Sequence, residues 1–158
     1  MSIQLRTLIS SDRVDLAQLL ERVPNFEEDD RAIAMELVVT ALDQPEQKDY
    51  CFLIAEDGDV LVGYACYGPT PLTDGTFDLY WIAVDPQCAG QGIGTLILKA
   101  MEEQIQRMGG RMIVIETSSA ENYAQTQQFY LKNGYELAET IRDFYRPGED
   151  RVTYLKRL

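Results

Sequence analysis

The chain has 158 residues, 46% hydrophobic and 25% charged, with 26 acidic against 14 basic side chains and a formal net charge of −12. That length and balance suit a single domain over residues 1–158 with one main core, and exclude a disordered chain or a fibrous repeat. So acidic a chain repels phosphate backbones and anionic bilayers, which sets aside nucleic acid and membrane as partners and favours cationic ones such as amines.

Histidine is absent, which removes Ser-His-Asp and Cys-His nucleophilic sites and any imidazole base or metal ligand. Acid–base chemistry must come from carboxylates, Tyr, Lys, Cys or water. Cys51, Cys66 and Cys88 lack CxxC spacing, so neither a disulfide framework nor a zinc site is expected, and no metal. Reduced thiols, the lack of an apolar signal segment and the lack of a run of ~18–20 apolar residues point to a soluble, cytoplasmic protein.

Residues 3–8 alternate apolar and polar and read as a strand. Ser10 or Ser11 suits the N-cap of an amphipathic helix carrying Val14, Leu16, Leu19 and Leu20. After Pro24, Asn25 is placed to cap a second helix, with Glu28 at the capping-box position and Ile33, Leu37 and Ala41 on its apolar side. Residues 50–55 and 60–67 read as a hairpin about Asp57-Gly58, which puts Cys51 and Cys66 on one face as packing residues. Gly68-Pro69-Thr70-Pro71 breaks the chain, and residues 77–84 form the next strand, ended by Asp85-Pro86. A third helix carries Ile93, Leu96, Ile97, Ala100, Met101, Ile105 and Met108 and stops at Gly109-Gly110. Residues 112–116 read as a strand and 124–132 as a helix stopped at Asn133-Gly134. Residues 135–141 and 152–156 close as strands around Pro147-Gly148. The order β-α-α-β-β-β-α-β-α-β-β predicts an α/β fold, with a mixed central sheet of about seven strands flanked by about four helices.

The most informative stretch runs from Trp81 to Leu96, where a strand enters a loop with Gly90, Gly92 and Gly94 and a helix starts at once. Glycines there let backbone N–H groups approach a ligand closely, and the unpaired amides of the first helical turn form an anion site reinforced by the helix dipole. A phosphate-bearing cofactor is the natural occupant; a tight turn whose glycines serve the backbone alone is the bland alternative. No Gly-Lys-Ser/Thr follows, which excludes a P-loop. The dinucleotide fingerprint fits poorly, because its third spacing is short by one and Asp85 to Ala89 intervene, although Glu116 could imitate its ribose-binding acid.

This segment closely resembles motif A of the GNAT superfamily of acyl-CoA N-acetyltransferases, in which a strand ending in V-x-P leads into [QR]-x-x-G-x-[GA] and a helix. Gly92 and Gly94 match the two small positions, and Ala89 replaces the usual Gln or Arg. Thr126 to Tyr135, T-Q-Q-F-Y-L-K-N-G-Y, is similar to motif B of the same family. Asp143 to Asp150 resembles the last hairpin of several members, including ones that acetylate protein N-termini.

The resemblance implies acetyl-CoA as co-substrate, lying where the fourth and fifth strands splay apart. The backbone of Ile82 and Val84 would pair with the pantetheine amides, and the amides of Gly90, Gln91, Gly92, Gly94 and Thr95 would hold the pyrophosphate. Members often place an Asn seven residues before the motif-B Tyr; here Tyr123 stands at that place and Asn122 one residue early.

Tyr130 is the implied acid for the leaving thiolate, a phenol of ordinary pKa ~10. Asp78, six residues before Val84, stands where members often carry a Glu base; one methylene short, it would act through a water. Glu116 is the second candidate base. Transfer passes directly to a primary amine, so Cys88 need not be a nucleophile. Acceptor choice would fall to the first two helices and the final hairpin, where Glu27, Glu28, Asp29 and Asp30 could attract a cation and Tyr145 could close over it. The alternative is a non-catalytic acyl-CoA sensor or scaffold on the same fold. The reading leaves room for a homodimer.

Overall fold

The protein is described by a computed structural model covering residues 2–158. In chain order the elements are β1 (Ile3–Arg6), α1 (Asp12–Arg22), α2 (Glu28–Asp43), β2 (Cys51–Asp57), β3 (Val60–Pro69), β4 (Thr76–Val84), α3 (Ile93–Arg107), β5 (Met112–Ser118), α4 (Ala124–Lys132), β6 (Glu136–Arg146) and β7 (Glu149–Arg157). Short 3-10 turns at Pro86–Cys88 and Glu121–Tyr123 lead into α3 and α4. The seven strands make one sheet in the order β1-β2-β3-β4-β5-β7-β6. Its neighbours are antiparallel except β4 and β5, which are parallel and joined through α3, the crossover that parallel pairing demands.

Helices cover both faces. On one, α3 lays Ile93, Ile97, Leu98, Met101 and Ile105 against Leu79, Ile113, Ile115 and Tyr154 of the sheet, with Tyr130 of α4 in the same core. On the other, Leu16, Leu19 and Leu20 of α1 and Ala34 and Val38 of α2 pack on Phe52, Ile54, Tyr64 and Cys66. Each such aliphatic side chain contributes about 1.5–3 kcal/mol of burial, so the two layers hold the sheet from both sides.

The helix ends differ from expectation. Ser11 occupies the N-cap of α1 but makes no side-chain cap bond. Asp12, the first residue of the helix, instead reaches back along the chain: its carboxylate accepts the Ile9 amide at 2.9 Å and both terminal nitrogens of Arg6 at 2.8 Å. These charge-assisted bonds fix the chain entering the helix and neutralise Arg6. Val14 lies 63% exposed, off the buried stripe. In α2 the cap is Glu27 rather than Asn25, with the Asp30 carboxylate accepting the Glu27 amide at 2.9 Å. The most deeply buried residues of the helix are Ala34 and Val38, and Ile33 is left 52% exposed.

Cys51 and Cys66 stand on opposite faces, not one. The β2–β3 register slips by a bulge after Ala55, so Cys66 pairs with Phe52 and Cys51 with Tyr67. Among the described residues no helix is long and apolar enough to cross a membrane.

Candidate active site

Parallel pairing between β4 and β5 runs only from Thr76–Met112 to Leu79–Ile115. Beyond Leu79 the strands part, and the cause lies on the other edge of β4. Cys66 of β3 pairs with Trp81 and Tyr67 with Leu79, so Tyr80 is an extra residue in the ladder. Such a bulge bends its strand and raises the local twist, here carrying β4 away from β5. It also resets the alternation: Phe77 and Leu79 face the α3 core, Tyr80 and Trp81 both face the α1–α2 side, and Ile82 and Val84 return to the α3 side.

The gap opens into a cavity of about 830 Å³ lined by Asp78 to Val84 on β4, by Val114 and Glu116 to Ser118 on β5, and by Tyr130 of α4. The α1–α2 turn supplies Phe26 and Glu27, the first turn of α2 Asp29 and Asp30, the β5–α4 turn Asn122 and Tyr123, and the β6–β7 hairpin Tyr145, Arg146 and Glu149. Six carboxylates therefore line it, and its arginine, Arg146, is already paired with Glu149. The field inside favours a cation.

Most sequence-selected residues meet here: Ile82, Val84, Asn122, Asp78, Glu116 and Tyr130 all line the cavity. Asp78 accepts a hydrogen bond from the Thr70 hydroxyl at 2.7 Å. Glu116 lies 3.7 Å from the Arg151 guanidinium with half its side chain exposed. Tyr130 is 4% exposed, and burial pushes its phenol well above the usual tyrosine range. Its proton is thus held firmly at neutral pH, and the hydroxyl acts as a hydrogen-bond donor to any negative charge formed beside it. Of the α2 carboxylates, Glu28 stays outside the lining.

Gly90, Gln91, Gly92, Gly94 and Thr95 do not line the cavity; they form the turn that follows β4 beyond Val84. Gly90 and Gly92 have φ of +77° and +79°, and a Cβ at either would meet nothing within 4 Å. Among the described residues no amide from Gly90 to Thr95 donates to a protein group outside α3, whereas Leu96 already bonds to the Gly92 carbonyl at 3.0 Å. The result is an open cradle of free N–H groups on a helix N-terminus, chemistry that fits a pyrophosphate. Gly94 has a different reason for being glycine: a Cβ there would press on the Phe129 ring at 3.2 Å, so it lets α3 and α4 close together. Asp85 braces the turn, accepting from the Gln87 amide and from Arg22 of α1, each at 2.9 Å.

Sequence reasoning missed Phe26, Trp81, Arg146 and Glu149 as lining residues. Phe26 and Trp81 meet edge-to-face at 5.3 Å, a contact between a turn and a strand that no local pattern announces. Among the described residues no group of three or more His, Cys, Asp or Glu is arranged to hold a metal.

Residues 48–137 match the family model of the acetyltransferase (GNAT) domain. An uncharacterized N-acetyltransferase of Methanocaldococcus jannaschii is 30% identical over 108 residues, 68% of this chain and 66% of that protein's own length. The crystal structure of a GNAT-family protein from Desulfovibrio desulfuricans superposes with a TM-score of 0.96 at 34% identity over 99% of both chains. The PaiA N-acetyltransferase of Thermoplasma acidophilum, solved with coenzyme A, shares the fold at a TM-score of 0.78 and 19% identity over 100% of both chains. With its splayed β4–β5 pair, its glycine turn and these matches, the chain belongs to the GNAT family of acetyltransferases.

Proposed function

We propose that the protein transfers the acetyl group of acetyl-CoA directly to a primary amine, carried by a cationic small molecule or by a protein or peptide N-terminus. The observation that carries this reading is one cavity in which the unpaired edge of β4, the Tyr130 phenol and two candidate bases come together.

Acetyl-CoA fits the residues present. Its pyrophosphate would take the free amides from Gly90 to Thr95, and its pantetheine arm would pair with the Ile82 and Val84 backbone on the edge that β5 leaves open, with Asn122 alongside. The coenzyme A bound to the Thermoplasma acidophilum protein of the same fold supports this occupant. When bound, it supplies an activated thioester.

The rest falls to the chain's own groups. An alkyl ammonium of pKa ~10 must lose a proton before its nitrogen can attack. Asp78, steadied by Thr70, takes that proton through a water; Glu116 is the alternative base, with Arg151 competing for its charge. Tyr130 donates a hydrogen bond to the sulfur as negative charge gathers on it, in surroundings dry enough to make that bond strong. The six lining carboxylates draw a cationic acceptor into the cavity.

The rival is a non-catalytic acyl-CoA sensor, which the loss of the motif-A side chain at Ala89 favours; the placement of Tyr130 in the cavity stands against it. Cytoplasmic location and a single domain are part of the proposal. A homodimer would use edge strand β6, where Leu137, Ile141 and Phe144 are exposed. Mass spectrometry of a panel of diamines, aminoglycosides, amino acids and peptides incubated with acetyl-CoA tests the assignment. Acetylated product from cationic amines supports it; acetyl-CoA binding without any product supports the sensor instead.

A further inference from the structure

We propose that Tyr123 sets which acceptors reach the site, acting as a latch across the cavity mouth. Its hydroxyl donates to the Asn25 carbonyl at 3.1 Å, a bond between residues 98 positions apart that ties the β5–α4 turn to the α1–α2 turn. Both turns line the same cavity, so the bond spans the opening between them. Asn25 adjoins Phe26, whose ring rests edge-on against Trp81, so the latch crosses above the part of β4 that has lost its β5 partner. Asp78 lies just before that segment, still paired with β5, and Val84 lies toward its far end.

The position gives the bond its meaning. Tyr123 stands where the family resemblance places an Asn directed at pantetheine, yet here the side chain reaches the opposite wall instead. Burial and the nearby Asp30, Glu149, Tyr145 and Glu27 push its phenol up to about 12, so it stays protonated and keeps donating across the physiological range. A single neutral hydrogen bond is weak enough to open and reclose, but while closed it narrows the way in. A slender, unbranched amine passes end-on; a bulky polycyclic amine must wait for the latch to open. The inference deepens the amine-acetyltransferase reading and rests on it for the acceptor, though not for the latch itself.

Trp81 is the chain's one tryptophan and lines the cavity, which provides a readout independent of turnover. Acrylamide quenching of its fluorescence is measured in the parent protein, in Tyr123→Phe, which keeps the ring but not the donor, and in Tyr123→Leu. The latch predicts quenching constants at least 2-fold higher in both variants, with melting temperatures confirming that they are folded. In parallel, kcat/KM is compared for 1,4-diaminobutane and an aminoglycoside. Tyr123→Phe should raise the bulky-to-slender ratio about 10-fold and change acetyl-CoA affinity, read by calorimetry, less than 3-fold.

Unchanged quenching in both variants overturns the latch whatever the kinetics. An unchanged acceptor ratio with weakened acetyl-CoA binding overturns the specificity role and makes Tyr123 a cofactor contact. Raised quenching in both variants of a protein that acetylates no amine keeps the latch and rejects the amine reading.

Discussion

Asp78 and Glu116 stand on the same face of adjacent parallel strands: Asp78 pairs with Val114, and Glu116 follows Val114 by two residues on β5. Both line one cavity, but their partners differ in kind. Thr70 offers Asp78 a neutral donor at 2.7 Å, whereas Arg151 offers Glu116 a full positive charge at 3.7 Å. Arg151 therefore holds Glu116 in an ion pair, whereas Asp78 has no cationic partner within ion-pair distance among the described residues. On that asymmetry the proposed base is Asp78, with Glu116 the alternative. Asp78→Asn should lower kcat at pH 7 by about 10²-fold, with a smaller loss near pH 10, where free amine is abundant. Glu116→Gln should change kcat less than about 5-fold; the reverse pattern in the pH–rate profiles would transfer the role to Glu116.

Tyr130 carries the next expectation. Tyr130→Phe removes one donor and preserves the ring contacts with Phe129, Tyr135 and Tyr154. If the phenol serves only the departing thiolate, kcat falls by about 10²–10⁴-fold while acetyl-CoA affinity stays within a few-fold. A variant that turns over at the parent rate would return Tyr130 to the core as a packing residue.

What the chain discloses before folding divides by range. The element order was legible because apolar periodicity and Gly/Pro punctuation are local, and α4 at Ala124–Lys132 matched its expected bounds. The glycine turn was legible because strand, glycines and helix are contiguous. The starts of α1 and α2 were not, because Asp12 is held by Arg6 and Ile9 together, an arrangement that the Ser10-Ser11 pattern cannot express. The bulge at Tyr80 was hidden for the same reason: it exists only relative to β3. Phe26, Arg146 and Glu149 reach the cavity by tertiary placement, so no spacing rule could have named them.

Gly92 offers a test of the cradle. Its φ of +79° strains any substituted residue by about 1–2 kcal/mol, yet a Cβ there meets no protein atom within 4 Å. Gly92→Val should therefore fold, with a modestly lower melting temperature, and lose measurable acetyl-CoA binding in calorimetry. Retained affinity in the folded variant would move the pyrophosphate elsewhere.

Tyr64 gives an expectation in the opposite direction. It is fully buried between the sheet and the α1–α2 layer, and its hydroxyl has no hydrogen-bond partner among the described residues. Replacing an unpaired buried donor by hydrogen removes a desolvation penalty. Tyr64→Phe should stabilise the fold by up to about 1 kcal/mol in urea unfolding, while Tyr64→Ala should cost about 3–5 kcal/mol through the cavity it leaves. A destabilised Phe variant would mean that the hydroxyl finds a partner in solution.

Asp12 links the start of α1 to acid stability. Burial works against its charge, but the two-pronged hydrogen bond from Arg6 and the Ile9 amide outweigh it and hold the carboxyl below the usual aspartate range. The sign follows from proton binding. Below the unfolded-state pKa of ~4 the unfolded chain takes up a proton that the folded carboxylate resists, so acid favours unfolding. The contribution of Asp12 is fully present above that value and drains away as pH falls through the lower folded pKa. Asp12→Asn should thus cost stability at pH 7, about 2–3 kcal/mol, because Arg6 is left with Glu56 as its carboxylate partner and the Ile9 amide loses its charged acceptor. The gap between parent and variant should stay constant from pH 7 to about 5 and shrink steadily below pH 4 in urea titrations. A gap that persists undiminished at pH 2 would show that the side chain acts through shape and hydrogen bonding alone, with no contribution from its charge.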